Sequence, residues 1–296
     1  MRARTGSLEP SLAGERRAGL VERLRAAEPL VAVELRPPRA DLAGPDGMDA
    51  WIDVYHSVQR LARRDRFVCL TDDAVGTAEE ENLAHLATNL GPDAPRSRLV
   101  PFLTCKHTRE YCLLYADRAA SLGFETLVVL GGDRSVGPPR CVPHAADLRR
   151  LIRERRPELA LGGWANPHRP VAEQVGFMLD RGFCADFYLT QVVSHHSIAR
   201  VEAFLDEADR RGMTLPGAFG VFFYRSANPR TLEVLGDFFP VPAEALSREF
   251  EAGVSPEEVC ARTIRALRAA GARHVYVSNL GHRNVERRLA DILERV

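Results

Sequence analysis

The stretch LVAVELRPP, residues 30–38, decides how this chain is read. Val31, Val33 and Leu35 alternate as in a strand with one face buried. Pro37 and Pro38 stop the strand, because proline brings no N–H to a ladder and restricts the residue before it. Inside this apolar run, just before the break, stands a glutamate, Glu34. A carboxylate at the end of a buried strand needs a reason.

Seven more runs of the same kind follow: FVCLTDDA (67–74), RLVPFLTC (98–105), ETLVVLGGD (125–133), LALGGWANP (159–167), DFYLTQVV (186–193), LPGAFGVFF (215–223) and HVYVSNLG (274–281). Each is short, rich in Val, Leu, Phe and Tyr, and closed by Gly, Pro, Asp or Asn. Helical patterns lie between them. Residues 48–64 carry apolar side chains at three- and four-residue intervals. Residues 77–90 open on a capping Thr77, and 108–123 close on Gly123. The pattern repeats in PVAEQVGFMLDRG, SIARVEAFLDEADRRG and SPEEVCARTIRALRAAG, the last with Ser255 at the N-cap and Pro256 at the first helical position. Eight strand–helix units predict an α/β fold, a single-domain (β/α)8 TIM barrel over 30–296. An open doubly wound sheet is the lesser alternative. Residues 11–27 predict a helix within an N-terminal extension, 1–29, that caps the barrel bottom, and 241–253 an extra helix before the last one.

Composition removes several classes of function. Lys+Arg and Asp+Glu both number 40, so the basic excess of a nucleic-acid binder is absent. The run RRLIRERRPE, 149–158, reads as a solvated helix face. No apolar stretch is long enough to span a membrane or to form a signal-peptide core, which predicts a cytoplasmic protein. Six scattered cysteines without a CxxC pair read as reduced thiols. No GxGxxG, P-loop or HExxH pattern occurs. His195 and His196 follow strand six; side chains adjacent in a strand point to opposite faces, so the pair predicts no metal.

A barrel of this kind builds its site at the C-terminal strand ends. Every strand end here is polar: Glu34; Thr71, Asp72 and Asp73; Thr104 and Lys106; Asp133 and Arg134; Asn166 and His168; Gln191; Tyr224 and Arg225; Ser278 and Asn279. The plainer readings are a Glu34 paired with Arg36 or Arg39, and an Asp133 that caps a helix.

Taken in order, VELRPPR, PFLTCKHT, LVVLGGD, GGWANPHRP, DFYLTQ and LPGAFGVFF resemble the 5,10-methylenetetrahydrofolate reductase family across about 30–283. The resemblance implies a barrel that uses FAD, reduced by NAD(P)H, to convert 5,10-methylenetetrahydrofolate into 5-methyltetrahydrofolate. It implies Glu34 as general acid and Asp133 as a catalytic group beside the flavin. It puts Gln191 and Phe223 on the folate. It puts Thr71, Thr104, Leu130, Gly131, Gly132, Asp133, Trp164 and His168 on the flavin. Partners would be the folate and the nicotinamide nucleotide, with association into a homo-oligomer. The chemistry suits a glutamate: opening the methylene bridge requires protonation of the leaving nitrogen, and partial desolvation at a barrel mouth raises a carboxyl pKa.

Departures from the family's pattern bear on the flavin. The family's FFPP is LRPP here, a Tyr-Gly pair after strand two is replaced by Asp72 and Asp73, and LRGD has become LGGD. Helix residues after strand five are mostly apolar, with Arg181 the basic group nearby. Acids gained and bases lost oppose a diphosphate. Two further readings stand beside the flavoenzyme: a flavin-free folate enzyme with direct hydride transfer from nicotinamide, and a non-catalytic barrel that binds folate or a partner.

Overall fold

The computed structural model describes residues 17–42, 44–73, 79, 81–83, 94–133 and 137–296. Eight parallel strands close into a barrel in sequence order: β1 (Val31–Leu35), β2 (Val68–Leu70), β3 (Leu99–Thr104), β4 (Thr126–Leu130), β5 (Ala160–Ala165), β6 (Phe187–Val193), β7 (Gly217–Phe222) and β8 (Val275–Ser278), with β1 paired to β8. All eight expected strands are present, and the (β/α)8 barrel is confirmed.

Strand alternation sorts the core into two layers. Ala32 of β1, Cys69 of β2, Val100 and Phe102 of β3, Val128 of β4, Phe187 and Leu189 of β6, Ala218 of β7 and Tyr276 of β8 fill the interior. The alternate residues, among them Val31, Val33, Leu35, Val129, Val221 and Val277, pack outward against helices. Side chains two apart share a face, so Glu34 follows Ala32 inward. The interior is tightly filled. A Cβ on Gly162 would lie 2.6 Å from the Phe187 ring and 2.8 Å from Val128, so this inward position of β5 has no room for one.

Helices α1 (Leu20–Arg25), α2 (Gly44–Arg63), α3 (Arg109–Ser121), α4 (Ala145–Arg155), α5 (Val171–Leu179), α6 (Ile198–Arg210), α7 (Pro229–Gly236), α8 (Ala243–Glu251), α9 (Pro256–Ala269) and α10 (Val285–Leu293) are the α-helices among the described residues. Ser255 caps its helix as expected, accepting the Glu258 N–H with Pro256 next, and Thr108, not singled out in the sequence, accepts the Tyr111 N–H. Leu20 and Leu24 of α1 join the interior cluster, so α1 plugs the barrel floor. Burial of each leucine is worth about 1.5–3 kcal/mol. The helix expected over 77–90, with its cap Thr77, falls almost wholly outside the described residues, as do Arg134 and residues 11–16 of the N-terminal helix.

Two helices were not anticipated. Pro229–Gly236, capped by Asn228, precedes the expected extra helix, and Val285–Leu293 closes the chain. The basic run 149–158 needs correction. Arg149 is buried, not solvated: its guanidinium donates to the carbonyls of Val129 (3.0 Å) and Phe183 (2.7 and 2.9 Å) and lies over the Phe183 ring. Burial pushes its pKa down to about 10. The cysteines are unbonded thiols, and no helix among the described residues is long and apolar enough to cross a membrane.

Candidate active site

At the C-terminal end of the barrel lies a cavity of about 290 Å³. Its walls are the inward side chains of the last strand residues. Glu34 from β1, Thr71 after β2, Thr104 from β3, Leu130 from β4, Trp164 from β5, Gln191 from β6, Phe222 from β7 and Ser278 from β8 all line it, so each strand contributes.

Glu34 forms the polar floor. The β1–β8 register, with Val33 opposite Val277, brings Ser278 beside it, and the Ser278 hydroxyl donates to its carboxylate at 2.5 Å. The arginines flanking Glu34 in sequence go elsewhere. Arg36 pairs with the buried carboxylate of Glu79 at 2.6 Å, and Arg39 with Asp41. Desolvation therefore dominates, and Glu34 is pushed up to about 7; the Ser278 hydrogen bond opposes the rise and the Glu79 charge adds to it. A carboxyl group half protonated near neutrality is suited to donating a proton.

A second acidic group is tied up structurally. The Asp72 carboxylate accepts the Thr104 N–H at 2.6 Å and meets His107 Nε2 at 2.9 Å, which raises the histidine's pKa. Asp73, at φ 52°, accepts the Glu79 N–H, and Glu79 accepts the Thr71 hydroxyl at 2.7 Å. These acids assemble the rim between β1, β2 and β3.

Two buried polar atoms on the cavity wall have no partner among the described residues: Thr104 Oγ1 and Arg140 Nε. Unpaired buried polar atoms carry a desolvation cost, which a polar ligand removes. The lining also holds the aromatic side chains of Trp164, Phe222, Phe238 and Phe239. A bulge in β6, where Leu189 pairs Ala218 and Val192 pairs Gly220, turns both Gln191 and Val192 to the cavity. Gln191 then reaches the Phe238 carbonyl at 3.4 Å.

Most of the residues singled out in the sequence meet here: Glu34, Thr71, Thr104, Leu130, Gly131, Gly132, Asp133, Trp164 and Gln191. Two do not. Phe223 points the other way and packs in the outer core, because Ala218, Gly220 and Phe222 are the inward positions of β7; Phe222 takes its place on the cavity. His168 lies behind the wall with its Nε2 on the Val192 carbonyl at 2.9 Å. Phe222, Phe238, Phe239 and Arg140 are the additions, and Ser278, named among the polar strand ends, gains its partner Glu34. Two-residue alternation signals Phe222, while the others come from loops whose path no local pattern gives.

The sequence reasoning about His195 and His196 also needs correction. β6 ends at Val193, and both histidines sit in a 3-10 turn capped by Ser194. Their rings do not diverge. Both Nε2 atoms approach the Glu249 carboxylate, at 3.2 and 3.1 Å.

Where the resemblance puts a flavin, the glycine backbone is covered by two flexible side chains that a ring would have to displace: a Cβ on Gly131 would lie 2.5 Å from the Arg140 guanidinium, and one on Gly132 2.7 Å from the Lys106 stem. Arg140 also donates to the Gly132 carbonyl at 2.6 Å. The Thr71 hydroxyl and Thr104 N–H are committed to Glu79 and Asp72. Arg181 lies in the turn leading into β6, at the barrel's opposite end.

Comparison with protein-family models and with curated proteins gave no match. Among solved structures, an uncharacterised protein from Clostridium thermocellum that binds two copies of 5-methyl-5,6,7,8-tetrahydrofolic acid aligns with a TM-score of 0.65, at 14% identity, over 90% of this chain and 95% of that one. An F420-dependent secondary alcohol dehydrogenase, in complex with an F420–acetone adduct, aligns at 0.55 with 11% identity over 91% and 98%. At these identities the likeness is one of fold: the chain shares its barrel with a folate-binding protein and with an oxidoreductase.

Proposed function

We propose that this barrel reduces a methylene-bridged tetrahydrofolate to the methyl form, with Glu34 as proton donor and a nicotinamide nucleotide as direct hydride donor. The observation that carries this reading is Glu34 itself: an inward carboxyl on the cavity floor whose desolvation outweighs the Ser278 hydroxyl and the Arg36 charge, leaving its pKa near 7. A folate ligand in the fold neighbour from Clostridium thermocellum supports the substrate class. The motif resemblance supports it independently.

Glu34 gives its proton to the bridge nitrogen that leaves, and that C–N bond breaks to leave an iminium at the other nitrogen. A hydride from the dihydronicotinamide adds to the methylene carbon and makes the methyl group. The nicotinamide is oxidised to its pyridinium form, and Glu34 is reprotonated from solvent. Trp164, Phe238 and Phe239 offer faces for flat rings. Thr104 Oγ1, Arg140 Nε and the Gln191 amide offer polar contacts to the pterin, and Asp133 lines the same wall. The covered glycine pair favours direct hydride transfer over a flavin relay. The test is whether Glu34→Gln separates turnover from folate binding.

A further inference from the structure

We propose a divalent transition-metal site formed by His195 Nε2, His196 Nε2 and the Glu249 carboxylate, outside the cavity and independent of the folate reading. The two imidazoles come from the turn after β6, and the carboxylate from α8. All three ligand atoms lie within 4.8 Å of one another. Zinc with bonds of about 2.0 Å sets its tetrahedral ligands about 3.3 Å apart. His195 Nε2 lies 3.2 Å from Glu249 Oε1 and His196 Nε2 3.1 Å from Oε2, spacings of that size, each to its own carboxylate oxygen.

The surroundings supply what a metal-binding imidazole needs. Thr263 on α9 back-bonds its hydroxyl to the Val259 carbonyl one turn earlier, at 3.3 Å. Its oxygen lies 2.9 Å from His195 Nδ1 and is placed to accept a proton from that nitrogen when Nε2 binds an ion. Without an ion, His195 Nε2 hydrogen-bonds the Glu249 oxygen at 3.2 Å, and a cation would replace that bond by sharing both atoms. The hydrogen bond from Nδ1 to a fixed oxygen is the usual support for a ligating histidine.

Arg262 now occupies part of this space, donating to Glu249 at 2.8 Å, but it also contacts Glu258 at 3.1 Å and can keep that partner alone. His196 lies at the surface, so solvent can complete the coordination. Two histidines and one carboxylate with open positions suit Zn²⁺ or Fe²⁺ rather than Ca²⁺ or Mg²⁺. The ion would tie the turn after β6 to α8, the helix that ends the excursion carrying Phe238 and Phe239.

The experiment is calorimetric titration of the chelator-stripped full-length chain with Zn²⁺, repeated on His196→Ala, Glu249→Gln and Thr263→Val, with circular dichroism to verify folding. One Zn²⁺ per chain is expected, with thermal stabilisation on binding. Thr263→Val should weaken binding by roughly tenfold, the low end for a supporting group, and each ligand variant by more than about 100-fold. Absence of saturable binding overturns the site. So does binding that survives both ligand variants, which would place the ion elsewhere, such as at Asp72, Asp73 and His107. His196→Ala removes a surface ring and keeps the test valid should Glu249→Gln fail to fold.

Discussion

The Ser278 hydroxyl donates to the Glu34 carboxylate across the seam where β8 closes on β1. This bond favours the charged form of Glu34, while desolvation favours the neutral one and prevails. Loss of the hydroxyl in Ser278→Ala should therefore raise the Glu34 pKa further. Activity that depends on protonated Glu34 falls as pH rises through about 7 in the wild type. In Ser278→Ala this alkaline limb should move up by about one pH unit, the equivalent of a charge-assisted hydrogen bond of roughly 1.5 kcal/mol. A pH–rate profile checks it, and a limb that moves down would reverse the assignment of the bond's role.

Stability should carry the same signature. Glu34 has a folded pKa above its ordinary value of 4.5. Below that value both folded and unfolded chains hold the proton, and no penalty arises. As pH rises to about 7, the unfolded chain has already released its proton while the folded chain resists, so stability falls across this window. Glu34→Gln escapes the loss. Urea unfolding should find the variant more stable than wild type above pH 7, by on the order of 3 kcal/mol, with the gap closing towards pH 4.5.

Arg140 and Lys106 lie over the Gly131 and Gly132 backbone, where a flavin ring would need to approach. The purified chain should be colourless and should fail to retain FAD after incubation and desalting, as read by its visible absorption. A yellow protein bleached by a nicotinamide nucleotide would restore the flavoenzyme reading.

Gly162 faces Phe187 and Val128 in the filled interior. Gly162→Ala should cost about 1–3 kcal/mol through overpacking, seen as a lower urea midpoint with an unchanged slope. A neutral outcome would mean that the interior is looser than its contacts indicate.

The barrel was legible because its strands repeat a local signal, and Glu34 because alternation from Ala32 fixes its direction. Where the sequence reading failed, the deciding geometry was not local. Phe222 and Phe223 are chemically equal, and strand phase alone decides which faces the cavity. The two histidines were placed after the strand but given strand side-chain geometry; Ser194 caps a turn there instead, and their common partner Glu249 is far along the chain. Arg149 looked solvated within a basic run, yet its targets are carbonyls of β4 and of the turn before β6. Arg140 reached the glycine pair from a loop, where no periodicity fixes a path.

The most direct measurement compares wild type with Glu34→Gln in two assays: oxidation of NADH or NADPH in the presence of 5,10-methylenetetrahydrofolate, with the methyl product identified, and equilibrium binding of 5-methyltetrahydrofolate. General acid catalysis by a positioned group contributes roughly 10²–10⁴-fold. Turnover should fall by that order in the variant, while the folate dissociation constant changes less than about tenfold. Turnover equal to wild type in Glu34→Gln, or a wild-type chain that binds folate without reducing it, would remove Glu34 from the role given to it here.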